Sequence, residues 1–246
     1  VKILHRQQSE YEQIVVYETD QLYEEKGHFR VLQFANADIQ GALDLHQPQR
    51  IIFEYPRAII HLLEHNVHEL QRLFIIGQGI GTLGNYFADH DVQIAELDIA
   101  VARLSVKYFG CQAEPILIGD GRSILSQQPQ RHYDVIVLDA FSQAGTPLHL
   151  VSLECLHMMH SKLHDAGYLI MNLIGRGQND MRIHAIYTTL CEVFEHVECF
   201  QLPVEKNSDV RNMIMMAGQA PIRYQLRQMA GFAVMQPDVA YILYDE

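Results

Sequence analysis

Basic residues are in short supply. Across 246 residues, 18 Lys and Arg stand against 30 Asp and Glu, a formal net charge of −12 with histidine neutral. A sleeve for nucleic acid needs the opposite balance, so no nucleic-acid partner is expected; an acidic cleft favours a cationic small molecule instead. Long apolar runs are lacking as well. Runs such as 73–77 and 135–138 fall far short of the roughly 20 residues of a bilayer span, and no membrane crossing is expected. The opening Val1-Lys2-Ile3-Leu4-His5-Arg6 runs into charge without an apolar core and small-residue cleavage site, which points to a cytoplasmic protein. The four cysteines, Cys111, Cys155, Cys191 and Cys199, form no CxxC pair and lie in segments that read as helix or strand, so buried reduced thiols are expected. There is no GxSxG elbow and no P-loop lysine, which removes the positioning residues of those hydrolases and nucleoside triphosphatases. Internal repeats and low-complexity tracts are also missing. What is present is 48% apolar residues, enough for one large domain or a domain with a smaller partner, and disorder is excluded.

The first 50 residues carry β-branched and aromatic side chains at alternating positions. Ile14 and Val16, then Phe29 and Val31, flank the turn-prone Glu24-Glu25-Lys26-Gly27, a hairpin pattern. A further strand is predicted over 37–40, before His46-Gln47-Pro48 breaks the pattern. From Tyr55 the period becomes helical, with Ile59, Leu62, Leu63, Val67 and Leu70 behind Pro56, a residue suited to a first helical turn. Strands are then predicted at 72–76, 92–96, 114–118, 134–138 and 167–173, separated by helices at 82–88, 99–109, 122–127 and 149–164. A helix over 181–194 precedes edge strands at 197–202 and 212–216. Nearly continuous apolar strands bracketed by helices predict an α/β fold: a Rossmann-type, doubly wound, mostly parallel sheet over 71–246, behind a small N-terminal β domain and connecting helix over 1–70.

The strongest local signal is the buried strand that runs into Gly77-Gln78-Gly79-Ile80-Gly81 and then a helix. Gly77, Gly79 and Gly81 let the backbone approach a ligand, and the helix start offers free amides; a tight turn without ligand is the bland reading. The next strand ends in Glu96, about 20 residues after Gly77, where a carboxylate accepts from ribose hydroxyls. Asp98 reads as the cap of the following helix. Asp120 and Gly121, in Gly119-Asp120-Gly121, sit at the same sheet edge, where the acid can meet an adenine amino group or simply cap a helix. The fourth strand delivers Asp139 in Asp139-Ala140-Phe141-Ser142, again at the carboxyl edge.

This order of motifs resembles the polyamine synthase family, the spermidine-synthase-like branch of Rossmann-type, class I methyltransferase-like transferases, over nearly the whole chain. Tyr11-Glu12-Gln13-Ile14 looks like the family's opening strand, Gln40 like its VQ glutamine, and Tyr55 like its tyrosine before the glycine loop. Glu96 is similar to its ribose carboxylate, Asp120 to its adenine-binding acid and Asp139 to the first acid of its catalytic DSxDP loop. The resemblance implies S-adenosylmethionine or its decarboxylated form as donor substrate, an amine acceptor such as a polyamine, Asp139 as catalytic residue, no metal, and a homodimer. The family's glycine loop reads GGGDGG, and its acid is Ile80 here. The second loop acid is Ser142, and Glu12 and Pro56 replace usual glutamine or histidine. A carboxylate at position 80 selects the decarboxylated donor by attracting its ammonium and repelling the carboxylate of the intact one. Ile80 withdraws that selection and leaves Asp139, assisted by Glu12, to face the donor tail or to act as base on the acceptor.

Three alternatives stay open: methyl transfer, an inactive homologue that binds an adenosyl ligand, and a nicotinamide dehydrogenase, which leaves Asp120 and Asp139 unexplained. His61, His65 and His68 share a helix face without a carboxylate at ligand spacing and read as a solvated face rather than a metal site. His157, His160 and His164 likewise read as surface residues of one helix.

Overall fold

A computed structural model describes residues 1–34, 39–112, 115–141, 145–203 and 209–246. Four strands open the chain: β1 (Lys2–Gln8), β2 (Gln13–Leu22), β3 (Glu25–Phe34) and β4 (Ile39–Asp44). They form an antiparallel meander in chain order. Leu22 pairs with Glu25, so the hairpin turns at Tyr23-Glu24, earlier than predicted. Tyr23 adopts a φ of 51° there, a conformation that its side chain does not advertise. The strand β1 was not predicted as a separate element, and Tyr11–Ile14 spans the turn into β2 rather than an opening strand. The predicted strand at 37–40 falls partly outside the described residues.

Helix α1 (Glu54–Asn66) carries Pro56 in its first turn and closes where the Val67 N–H reaches the Leu63 carbonyl at 2.9 Å. Its apolar stripe of Ala58, Ile59, Leu62 and Leu63 is almost fully buried against Leu73, Ile75, Ile214 and Met216 of the large sheet. Each of the Ile and Leu side chains contributes about 1.5–3 kcal/mol. His61 lies on that buried side, where its Nε2 accepts the Gln225 N–H at 2.9 Å, so it does not belong to a solvated face.

The large sheet is built from β5 (Arg72–Ile76), β6 (Asp91–Glu96), β7 (Ile116–Ile118), β8 (Tyr133–Leu138), β9 (Leu163–Gly175), β10 (His196–Gln201), β11 (Arg211–Gly218) and β12 (Ala233–Met235). Between them run α2 (Thr82–Tyr86), α3 (Ile99–Phe109), α4 (Gly121–Ser126), α5 (Leu153–Lys162) and α6 (Met181–Cys191). The order is β12-β10-β11-β9-β8-β5-β6-β7, with β5 to β9 parallel and the β9–β11, β11–β10 and β10–β12 pairs antiparallel. Alternate residues of one strand enter separate cores. Phe74 and Ile76 join Ile136, Leu138 and Met171 on one face, while Leu73 and Ile75 join Val135, Val137 and Ile170 on the other. Burial on both faces is why these strands read as continuous apolar runs.

The predicted helix at 149–164 is shorter than its pattern, because Leu163 already begins β9. His164 therefore sits in a strand, bonded to Asp134 at 2.7 Å, and His160 packs edge-on against Phe194. Cys111, Cys155 and Cys199 are buried thiols, whereas Cys191 is exposed. Among the described residues no group of three or more His, Cys, Asp or Glu could hold a metal, and no helix is long and apolar enough to cross a membrane.

Candidate functional site

The parallel strands end at one edge, and the glycine turn leaves β5 there. Gly77, Gly79 and Gly81 all adopt positive φ, at 95°, 53° and 85°. A Cβ on Gly77 would overlap the Asp139 carbonyl oxygen, so glycine at this position lets the ends of β5 and β8 close on each other. The N–H groups of Gly79 and Ile80 donate to no acceptor among the described residues. Strand β4 comes over the turn from the small sheet: the Gln40 carbonyl lies 3.3 Å from where a Gly79 Cβ would stand.

Asp139 follows β8 directly, and its N–H donates to the Ile76 carbonyl at 2.8 Å. The residue keeps some exposed surface, but its carboxylate lies at depth, and burial pushes its pKa up to about 6. Two groups pull the other way. Asn172 Nδ2 donates to Asp139 Oδ1 at 2.8 Å, and the Tyr55 hydroxyl of α1 is turned toward the same carboxylate. Burial, and then the charge of Asp139, hold the Tyr55 phenol well above its ordinary value, so it stays protonated as a donor. A slot of about 10 Å³, large enough for one water, is walled by Gln40, Tyr55, Gly77, Gln78, Ile80 and Asp139.

Glu96 closes β6 and is 8% exposed. Its two oxygens accept the N–H groups of Gln78 at 2.9 Å and of Asp98 at 2.8 Å, tying the glycine turn to β6. Burial nevertheless pushes its pKa up to about 7. Asp98 caps α3 by accepting the Ala100 N–H at 2.8 Å, as its position predicts. Asp120 caps α4 through the Ser123 N–H at 2.8 Å, and its second oxygen meets His149 Nε2 at 2.9 Å. Burial raises the Asp120 pKa, but the Ser123 N–H and His149 outweigh it and hold the group below its ordinary value. Gly121 begins α4 and packs on Ile76, where a Cβ would overlap.

Ile80 departs from its expected surroundings. It is 7% exposed and packs with Ile14, Val16, Leu32, Leu104 and Phe109, a cluster that joins the small sheet to α3. Against Gly41 it fits so closely that a Cβ there would stand 2.6 Å from its side chain. The same residue also walls the Asp139 slot, so it serves both as an interdomain wedge and as lining. Glu12 lies in the turn before β2, half-buried, and is not among the residues lining the slot. Ser142 falls outside the described residues.

Sequence reasoning missed Asn172 and Asn212, which accompany Asp139 from β9 and β11. The signal was there: one amide inside Leu169-Ile170-Met171-Asn172-Leu173, where every neighbour is apolar and buried. It also missed Arg122, which binds the carboxylate of Asp245 through both terminal nitrogens, at 2.6 and 2.7 Å, and donates to the His149 carbonyl at 2.9 Å.

No protein-family model matches the chain. A polyamine aminopropyltransferase of Vibrio vulnificus (strain CMCP6) is 28% identical over 241 residues, spanning 93% of this chain and 76% of that protein. The crystal structure of a probable spermidine synthase from Corynebacterium glutamicum ATCC 13032 superimposes with a TM-score of 0.83 at 22% identity, over 100% of this chain and 98% of that one. Human methyltransferase-like protein 13 in complex with SAH shares the fold with a TM-score of 0.58 at 21% identity, over 73% of this chain and 90% of that one. The fold is thus methyltransferase-like α/β, with an antiparallel N-terminal sheet of four strands and a mixed, mostly parallel sheet of eight. Over nearly its full length the chain is thus similar to a polyamine aminopropyltransferase in sequence and to a probable spermidine synthase in fold.

Proposed function

We propose that the chain transfers an aminopropyl or related alkyl group from an adenosylmethionine-type sulfonium donor to a small amine, possibilities that include a polyamine acceptor. The observation that carries this reading is the Asp139 carboxylate, set against the glycine turn at the carboxyl edge and faced by Tyr55. In this reading Gly77, Gly79 and Gly81 shape the turn beneath the donor, and Glu96 accepts from its ribose hydroxyls. Asp120 and Gly121 mark the nucleobase end, Gln40 and Tyr55 wall the reacting end, and Glu12 belongs to the acceptor side. These residues fit a nucleoside with a cationic tail, except that position 80 offers no carboxylate. Alkyl transfer from sulfur needs a neutral amine in line with the departing sulfur. With a pKa of about 6, Asp139 is mostly ionised at neutral pH and can take the ammonium proton. The donor supplies its own leaving group.

The product identifies the reaction. Incubated with decarboxylated adenosylmethionine and a diamine, the protein is expected to release methylthioadenosine. A second reading, methyl transfer, is favoured by the apolar Ile80 beside the donor tail, and it would release S-adenosylhomocysteine from intact adenosylmethionine. Binding without either product identifies an inactive homologue.

The Glu96 assignment has a pH signature. A ribose diol bonds the ionised carboxylate, so methylthioadenosine should bind about tenfold more weakly at pH 6 than at pH 8, with the change centred near 7. Glu96→Gln should weaken binding by about tenfold or more at pH 8, since a hydrogen bond to a charged group is worth roughly 1.5–3 kcal/mol. The pH profile of the wild type is the cleaner test, because the amide also loses one of the two backbone donors that Glu96 holds. Flat affinity across this range removes Glu96 from the nucleoside site.

A homodimer is also expected. Among the described residues, β1 and β4 of the small sheet each pair on one side only, and covering such edges suppresses nonspecific strand addition. A monomeric mass by light scattering at micromolar concentration contradicts it.

A further inference from the structure

We propose that Asn172 and Asn212 form a positioning chain for Asp139, in which the Asn212 amide fixes which end of the Asn172 amide meets the carboxylate. The inference rests on Asp139 as the reacting-end acid of the function proposed above. Its basis is a line of three side chains across adjacent strands. Asn172 Nδ2 donates to Asp139 Oδ1 at 2.8 Å, and Asn212 Nδ2 donates to Asn172 Oδ1 at 3.1 Å.

The register explains the alignment. Met171 of β9 pairs with Leu138 of β8, so the next residues, Asn172 and Asp139, lie side by side at the sheet edge. Asn172 in turn pairs with Ile214 of β11, and Asn212 stands two residues from Ile214, on the same face and diagonal to Asn172. That face is the one on which α1 packs and from which Tyr55 reaches the acid.

A side-chain amide has one donating and one accepting end. Turned one way, Asn172 stabilises a carboxylate; turned the other, its oxygen would confront one. Asn172 is 1% exposed, so bulk water does not restore a missing partner, and the donor from Asn212 is what holds its oxygen away from Asp139. The groups facing the acid are few. Tyr55 from α1 is the titratable one that the described residues bring against it; Asn172 from β9, Gln40 from β4 and Gly77 in the turn carry no charge. Burial pushes the proton onto Asp139, and the Asn172 and Tyr55 donors work to remove it. Losing the Asn172 donor therefore leaves the carboxyl protonated at higher pH, and so unable to accept a proton from an amine near neutrality.

The test follows the carbon-13 carboxyl signal of Asp139, assigned by its loss in Asp139→Asn, through a pH titration of wild type, Asn172→Leu, Asn212→Leu and the double variant. Asn172→Leu should raise the Asp139 midpoint by roughly one to two pH units, the worth of one hydrogen bond to a carboxylate. Asn212→Leu should raise it less. In the Asn172→Leu background it should add nothing, because Asn212 acts only through Asn172. If Asn172→Leu does not fold, Asn172→Ser, whose hydroxyl is too short to reach the acid, is read in its place. An unchanged midpoint in the folded variant, or two single shifts that simply add, overturns the chain. The acid limb of the transfer rate should move to higher pH by the same amount. A wild type that transfers nothing at any pH overturns the functional reading, while the carboxyl titration still decides the role of the two asparagines.

Discussion

Asp139→Asn is expected to lower the transfer rate by about 10²–10⁴-fold, the usual worth of a positioned general base, while methylthioadenosine binds within a few-fold of the wild type. The substitution keeps shape and leaves an amide oxygen for Asn172, so the nucleoside end of the site is undisturbed. Stability should move the other way. The carboxyl has a pKa of about 6 in the folded protein against an ordinary 3.8, so the native state binds the proton more tightly than the unfolded chain. The stability linked to that proton is fully present below pH 3.8 and is lost as pH rises to about 6, a loss of up to about 3 kcal/mol by linkage. Asparagine carries no such dependence. Urea unfolding at pH 7.5 should therefore find the variant more stable than the wild type, with the advantage gone near pH 4. A variant that loses activity together with stability would mean that Asp139 is structural.

Ile80→Asp is expected to shift donor preference. At about 4 Å and an effective dielectric near 20, a carboxylate and an ammonium attract by roughly 4 kcal/mol before desolvation, so after large discounts the affinity ratio should still move several-fold toward decarboxylated adenosylmethionine. The same carboxylate would repel that of the intact donor. The substitution also cuts into the cluster of Ile14, Val16, Leu32 and Leu104, and it should cost about 2–4 kcal/mol of stability. The ratio of the two dissociation constants is insensitive to that loss as long as the variant is folded. A constant ratio would assign Ile80 to the interdomain wedge alone, and the correspondence with the family's loop acid would fall.

These two positions illustrate how far the sequence could be read. The central parallel strands were legible because burial on both faces makes them continuous apolar runs, as in Val135-Ile136-Val137-Leu138. Their ends carried the acids, since a chain leaving a parallel sheet at its carboxyl edge places Glu96, Asp120 and Asp139 there in turn. Caps were legible too, because Asp98 needs only its own neighbours to satisfy helix amides. What escaped depends on nonlocal approach. Nothing near Ile80 announces that Gly41 will press on it, and nothing near Asp139 announces Asn172 or Asn212, which reach it from one strand over and two strands over. The hairpin was placed late for a different reason: Tyr23 accepts a left-handed conformation that local preference assigns to Gly27.

The claim beneath all of this is that the carboxyl edge holds an adenosyl ligand. Titration calorimetry with methylthioadenosine, run at pH 6 and pH 8 on the same preparation, tests it most directly. Saturable binding at one site per chain is expected, tightening about tenfold at the higher pH as Glu96 ionises. Absence of binding at both pH values by a folded protein would contradict it.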